Sequence, residues 1–179
     1  MDLKKITDEL TVSPQILPAE LKALADLGFR SVICNRPDGE AADQPTFDEI
    51  AAAAKKAKIE VRNIPIVAGK VGDADAAAFG AALKELPGPT LAYCRTGTRS
   101  ATLWSLSAAS TKTTSEILAA TKAAGYDMAG VVRRIVNGGK TPTDTGDAKF
   151  DVVIVGGGAA GIAVASSLKS RKPEIEIAL

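Results

Sequence analysis

The 179-residue chain has no histidine. That absence excludes His-based catalytic triads, His general bases and His-held metals. Cysteine is almost as scarce: Cys34 and Cys94 are the two, far apart in sequence. Such usage is neither a disulfide framework nor a zinc-finger spacing, and it fits a reducing cytoplasm. Aromatic residues make up 4% of the chain, too few for a base-stacking platform, and the net charge of +1 draws in neither nucleic acid nor an anionic membrane. No apolar run reaches membrane-spanning length, and no signal core follows Met1-Asp2-Leu3-Lys4-Lys5. The composition therefore points to a cytoplasmic chain with no membrane span and no nucleic-acid partner.

What remains is an ordinary globular composition, 46% apolar and 24% charged, enough for a core and a solvated surface. Residues 4–16 alternate apolar and polar around Asp8-Glu9, as an edge hairpin would. Pro18 opens a helix carrying Leu21, Leu24 and Leu27, which Gly28 closes. Arg30 to Cys34 reads as a short buried strand running into the polar turn Asn35-Arg36-Pro37-Asp38-Gly39-Glu40. Thr46 caps a helix with Asp48 and Glu49 in its first turn. Lys58 to Ile66 reads as a strand. Asp73 or Asp75 caps a helix bearing Phe79, Leu83 and Leu86, ended by Pro87-Gly88-Pro89. Leu103, Trp104 and Leu106 mark a buried helix, and Thr113-Thr114-Ser115-Glu116 is a capping box that begins another, ended by Gly125. The spacing of Met128, Val131, Val132 and Ile135 predicts a last helix over Asp127 to Val136. Strands alternating with helices imply an α/β fold, a mainly parallel sheet flanked by helices, with active loops at the carboxyl ends of the strands.

One such loop carries chemistry. The apolar run Thr90 to Tyr93 leads into Cys94-Arg95-Thr96-Gly97-Thr98-Arg99-Ser100 and then into a helical pattern. A cysteine there lies among free backbone N–H groups at the positive end of a helix macrodipole, which favours the nucleophilic thiolate. Cys94 and Arg99 are the candidate catalytic residues. Arg95, Thr96, Gly97, Thr98 and Ser100 would cradle an anion, with Arg36 of the preceding polar turn as a further ligand. Cys34, at the end of a strand, is a candidate second thiol.

Residues 137–148 lack apolar periodicity and read as a linker. Beyond them Phe150 to Val155 is a strand, Gly156, Gly158 and Gly161 form a G-x-G-x-x-G turn into an Ala/Ser-rich helix, and Ile175 to Leu179 begins a second strand. Strand, turn and helix in that order are what the motif needs to seat a pyrophosphate. The domains are accordingly residues 1–137, a linker at 138–148, and a fragment at 149–179.

Cys-Arg-Thr-Gly-Thr-Arg-Ser resembles the active loop of rhodanese-type sulfurtransferases, in which four residues separate Cys from Arg. Cysteine-dependent tyrosine and dual-specificity phosphatases use a related loop with five. The order of elements around it is similar to the dual-specificity phosphatase fold. Both impressions meet in the phosphatase-like domain named after beta-lactamase hydrolase-like proteins, which Asn-Arg-Pro-Asp-Gly-Glu (35–40) and Tyr-Cys-Arg-Thr-Gly-Thr-Arg-Ser (93–100) resemble. Asp73 lies near where the phosphatase resemblance would place a general acid, and is a candidate for it against its at least equally good reading as a helix cap. The last 31 residues look like the start of an FAD-dependent pyridine nucleotide–disulfide oxidoreductase of the sulfide:quinone oxidoreductase type. This resemblance implies FAD in a longer protein and no cofactor for residues 1–137.

The short loop and the want of a secure general acid favour sulfur transfer, which needs no acid. On this expectation Cys94 holds a persulfide and passes sulfane sulfur to a thiol such as glutathione, beside a sulfide-oxidising flavoprotein. The alternative is a phosphatase acting through a phosphocysteine on Cys94. A third is a non-catalytic anion-binding module. In each, the partner is a small anionic sulfur or phosphate compound.

Overall fold

The computed structural model describes residues 1–143, 151–154 and 158–178. The chain divides into two compact units, Met1–Pro142 and Thr143–Leu179. In the first unit, five strands form one sheet: β1 (Lys4–Lys5), β2 (Leu10–Ser13), β3 (Ser31–Cys34), β4 (Glu60–Asn63) and β5 (Thr90–Tyr93). Their order is β1-β2-β5-β3-β4, and every pairing is parallel except β1 with β2.

Side chains alternate across such a sheet, so each strand feeds two cores. On one face, Val32, Cys34, Leu91 and Tyr93 pack with Leu21 and Leu24 of α1 (Leu21–Asp26) and Ile50 and Ala54 of α2 (Phe47–Ala57). On the other, Val12, Ile33 and Ala92 pack with Phe79 of α3 (Asp73–Glu85), Leu103 and Trp104 of α4 (Thr98–Ala108), and Ile117 of α5 (Thr114–Ala123). A short α6 (Val132–Val136) adds Ile135 to this second core. The expected α/β layering with a mainly parallel sheet is the observed one.

Local chemistry sets the boundaries. The Thr46 and Thr113 side chains accept from the N–H groups of Glu49 and Glu116, whose carboxylates return to the cap N–H, so both capping boxes form. Four expectations need adjustment. The hairpin is not wholly at an edge: β1 is, but Leu10 and Val12 are buried and β2 lies inside the sheet, parallel to β5. The strand expected over 58–66 ends at Asn63, because the chain then bonds to Asn35, through Asn35 Nδ2 to the Ile64 carbonyl and Ile66 N–H to the Asn35 carbonyl. Gly72, not an aspartate, is the N-cap of α3; Asp75 instead accepts the Gly72 N–H at 2.7 Å. The last helix is broken into a 3₁₀ turn at Ala129–Val131 followed by α6.

In the second unit β6 (Val152–Val153) pairs in parallel with β7 (Ile177–Ala178), with α7 (Ala159–Arg171) between them in sequence. Gly158 is the N-cap of α7 and Gly161 lies in its first turn, whereas Gly156 falls outside the described residues. Among the described residues no helix is long and apolar enough to cross a membrane.

Candidate active site

The loop after β5 is held from below by the sheet and from behind by α4. Cys94 N–H donates to the Ser13 carbonyl at the end of β2 (3.4 Å), so the cysteine is anchored where three parallel strands end together. The residue itself is buried. Its Sγ accepts the Gly97 N–H at 3.1 Å, the kind of donor that stabilises negative charge on sulfur. Gly97 is the N-cap of α4 with φ +88°, a left-handed conformation suited to glycine. A Cβ there would collide with the Tyr126 hydroxyl. That hydroxyl donates to the Thr96 carbonyl at 3.3 Å. Burial, reinforced by the charges of Cys94 and Asp2, pushes Tyr126 up to about 12, so it remains a donor at neutral pH.

Arg99 is buried in the first turn of α4. Its Nη1 donates to Glu40 Oε1 and to the Ile66 carbonyl, both at 2.6 Å, and its Nη2 donates to Glu40 Oε2 at 2.7 Å. Arg36 donates from Nε to the same Oε2 at 3.0 Å and from Nη1 to Gln15 Oε1 at 2.9 Å. The Arg99 hydrogen bonds, with help from Arg36, hold the Glu40 carboxyl below the usual glutamate range. Hydrogen bonds to Glu40 likewise raise Arg99, with the nearby Cys94 sulfur contributing in the same direction. A guanidinium has five N–H hydrogens in a planar fork. Glu40 occupies the Nη1–Nη2 edge and Ile66 the outer Nη1 hydrogen, which leaves the Nε–Nη2 edge for an anion at Cys94.

The sequence-predicted residues thus divide. Cys94, Gly97 and Arg99 come together, and Ser100 supports them from α4, donating to Asn35 Oδ1 at 2.8 Å. Arg95, Thr96 and Thr98 are exposed, with the two threonine hydroxyls 3.1 Å apart. Arg36 sits in the same cluster, but its guanidinium is buried and bonded to Glu40 and Gln15. Cys34 lies opposite Tyr93 on the neighbouring strand, and its thiol donates to the Arg36 carbonyl at 3.3 Å. Burial raises Cys34 above the ordinary thiol range, which disfavours the thiolate a relay would need.

Asp73 does not fit an acid. Its carboxylate accepts from the Thr141 backbone and hydroxyl and from Arg134 Nη2, and the Thr141 bonds foremost hold it below the usual aspartate range. A carboxyl so committed to donors is a poor proton source at neutral pH. Glu40 was visible in sequence only as part of a polar turn. Its signal was the acidic residue closing a turn that already held Arg36, but the pairing with Arg99 spans 59 positions. Among the described residues no cluster of three His, Cys, Asp or Glu side chains is placed to hold a metal ion.

Comparison with known proteins bears on the two chemistries that the loop suggested. A solved structure from Neisseria meningitidis, described as a candidate phosphatase, is 34% identical, covers 77% of this chain and 99% of its own, and superposes with a TM-score of 0.69. The catalytic domain of the PP-IP phosphatase SIW14 from S. cerevisiae, solved with citrate, shares the fold at 13% identity and a TM-score of 0.55, covering 75% of this chain and 83% of its own. The beta-lactamase hydrolase-like protein of Xylella fastidiosa is 36% identical over 107 residues, 60% of this chain; the match spans a quarter of that relative's length. The sulfurtransferase expectation is thereby corrected. The Cys-x₄-Arg spacing weighed too heavily against the surrounding fold, whose relatives at this level of similarity are described as phosphatase-like. Residues 2–111, which include the whole Cys94 loop and the Glu40 turn, match one family, and the chain belongs to it: the beta-lactamase hydrolase-like protein, phosphatase-like domain.

Proposed function

We propose that the first unit is a cysteine-dependent phosphatase acting on small phosphate esters or phosphotyrosine-like groups. The observation that carries this reading is the meeting of the Cys94 sulfur, the Gly97 N–H and the Arg99 fork at the ends of parallel strands. Family membership supports the same chemistry. The Cys94 sulfur attacks phosphorus, an S–P bond forms and the ester P–O bond breaks, and the leaving oxygen takes a proton from solvent. Water then attacks the phosphocysteine, releasing inorganic phosphate and restoring the thiol. Loop N–H groups and the free edge of Arg99 meet the equatorial oxygens, where charge is held during transfer. An aryl phosphate is the appropriate first substrate, because a phenolate departs without help from an enzymic acid. Phosphate release by the 179-residue chain, lost in Cys94→Ser, tests the reading; release that persists in that variant overturns it. Both thiols are free, which supports a reducing compartment such as the cytoplasm.

We further propose that the second unit is the beginning of a dinucleotide-binding domain in a longer flavoprotein. The strand–helix–strand order supports this, as does Gly158 at the start of α7, where a Cβ would meet nothing within 4 Å. FAD, when bound, would supply redox chemistry. Gly158 and Gly161 would let its pyrophosphate approach the helix N-terminus. Flavin fluorescence of the longer protein, compared with a Gly158→Val form, tests it.

A further inference from the structure

We propose that Glu40 is a positioning residue for Arg99 and that Arg36 positions Glu40 in turn, so that Arg36 serves the site without touching substrate. The kinetic part of this inference rests on the phosphatase reading above. The geometry assigns the roles. The Arg36 side chain is 7% exposed and Arg99 10%, against 23% for the carboxylate between them. Arg36 spends Nε on Glu40 and Nη1 on the Gln15 side chain. Glu40 receives both Nη groups of Arg99, and the Ile66 carbonyl takes the second Nη1 hydrogen. Glu40 on the Nη1–Nη2 edge and Ile66 on the outer Nη1 hydrogen, three acceptor atoms, thus set the plane and the direction of the guanidinium. The opposite edge, Nε with the remaining Nη2 hydrogen, is then aimed before any anion arrives, and no rotamer search is left for the moment of reaction.

Charge separates positioning from binding. Two guanidinium groups and one carboxylate leave the cluster with one net positive charge. Removing the carboxylate makes the site more positive, which strengthens attraction for an anion in its ground state, while it frees Arg99 to leave the geometry needed in the transition state. A positioning role therefore lowers kcat without raising KM. A residue that simply bound substrate would do the reverse, raising KM with kcat unchanged.

The test uses the full 179-residue chain with an aryl phosphate. Glu40→Gln is expected to lower kcat about 10- to 100-fold with KM unchanged or reduced, and Glu40→Asp to recover part of that loss. Arg36→Gln should also lower kcat, with KM unchanged or modestly raised by the lost positive charge, and the Arg36→Gln, Glu40→Gln double variant should have a kcat no worse than Glu40→Gln alone, since both act through one contact chain. A raised KM with intact kcat in Arg36→Gln, or losses that multiply in the double variant, overturns the proposal. Should Glu40→Gln fail to fold, Glu40→Asp and Arg36→Lys carry the same kcat-against-KM comparison. A second readout is independent of turnover: the Arg99 Nη hydrogens, which Glu40 and the Ile66 carbonyl accept, should give resonances, assigned by their loss in Arg99→Lys, that are sharp and slow to exchange in the parent and broadened in Glu40→Asp. An Arg99 signal equally protected in both overturns the positioning role. A protected signal in a protein that hydrolyses no aryl phosphate overturns the phosphatase reading alone.

Discussion

Ser100 Oγ donates to Asn35 Oδ1 across 2.8 Å, both residues fully buried, and so joins the first turn of α4 to the end of β3. This bond settles which arginine serves the loop. Six positions beyond Cys94 the chain carries a serine committed to the interior, and the guanidinium is supplied one position earlier, by Arg99. Asn35 also donates to the Ile64 carbonyl, so one side chain ties together α4, β3 and the segment after β4. Asn35→Ala strands the Ser100 hydroxyl and the Ile64 carbonyl without partners in a dry site. Each stranded group costs on the order of 1–3 kcal/mol, and the loss should be read as a lower urea midpoint at unchanged slope. Ser100→Ala, which strands one acceptor only, should cost less.

Acid stability should report the Glu40–Arg99 pair. The folded-state Glu40 carboxyl is depressed, first by its hydrogen bonds to Arg99. A depressed carboxyl stabilises the fold fully above its unfolded value, about 4.3, and loses that contribution as pH falls through the lower folded value. The stability difference between the parent and Glu40→Gln should therefore be constant above about pH 5 and shrink as the solution is made more acidic, roughly from pH 4 downward. Asp73, Glu49 and Glu116 are depressed in the same direction, but they are present in both proteins and drop out of the difference. Urea unfolding at stepped pH measures it. A gap that widens in acid would show that Glu40 is not the charged partner of Arg99.

The features that were legible in sequence are those whose physics is local. The capping boxes at Thr46 and Thr113 need only a carboxylate three residues on, and both form. The Cys94 loop announces itself because strand, cysteine, glycine and arginine fall within one short stretch. What sequence order hides is pairing over distance. Glu40 lies 59 positions from Arg99, and Asp73 lies 68 from the Thr141 that occupies it. Asp73 read as either an acid or a helix cap because its partners are remote in sequence: Arg134 lies in α6 and Thr141 beyond it. The loop length and the want of a secure general acid suggested sulfur transfer, although the order of elements already resembled the dual-specificity phosphatase fold. The fold brings Asn35 and Glu40 from the β3–α2 connection and Ile66 from the β4–α3 connection around the loop.

Cys34 should prove dispensable for chemistry. It is buried, its thiol is raised by that burial, and it donates to the Arg36 carbonyl from the α1–α2 side of the sheet. Cys34→Ala removes a weak donor and a small volume, so stability should fall by about 1 kcal/mol. Phosphate release from an aryl phosphate should stay within about twofold of the parent, since no step places charge on this sulfur. Loss of activity on the scale of Cys94→Ser would assign Cys34 a part in the reaction.

The closest steric constraint on the loop is between Gly97 and Tyr126, and it yields a paired prediction. At φ +88° an alanine is strained by its own backbone, a cost on the order of 1–2 kcal/mol. Its Cβ would also run into the Tyr126 hydroxyl and crowd the Ser13 carbonyl, 3.3 Å away. Gly97→Ala should therefore lower the melting temperature and displace the Gly97 N–H from the Cys94 sulfur, reducing phosphate release by about tenfold or more. The two causes can be told apart. Tyr126→Phe removes the nearer obstructing atom, leaving the ring carbon 2.9 Å from the added Cβ, and gives up its hydrogen bond to the Thr96 carbonyl, a loss of about 1 kcal/mol on its own. If the collision dominates, Gly97→Ala combined with Tyr126→Phe should be more stable and more active than Gly97→Ala alone. If backbone strain dominates, the double variant should be the worse of the two, because it adds the lost hydrogen bond to an unrelieved φ. Thermal melts and aryl phosphate turnover on the three variants decide it, and the near-contact with the hydroxyl predicts the first outcome.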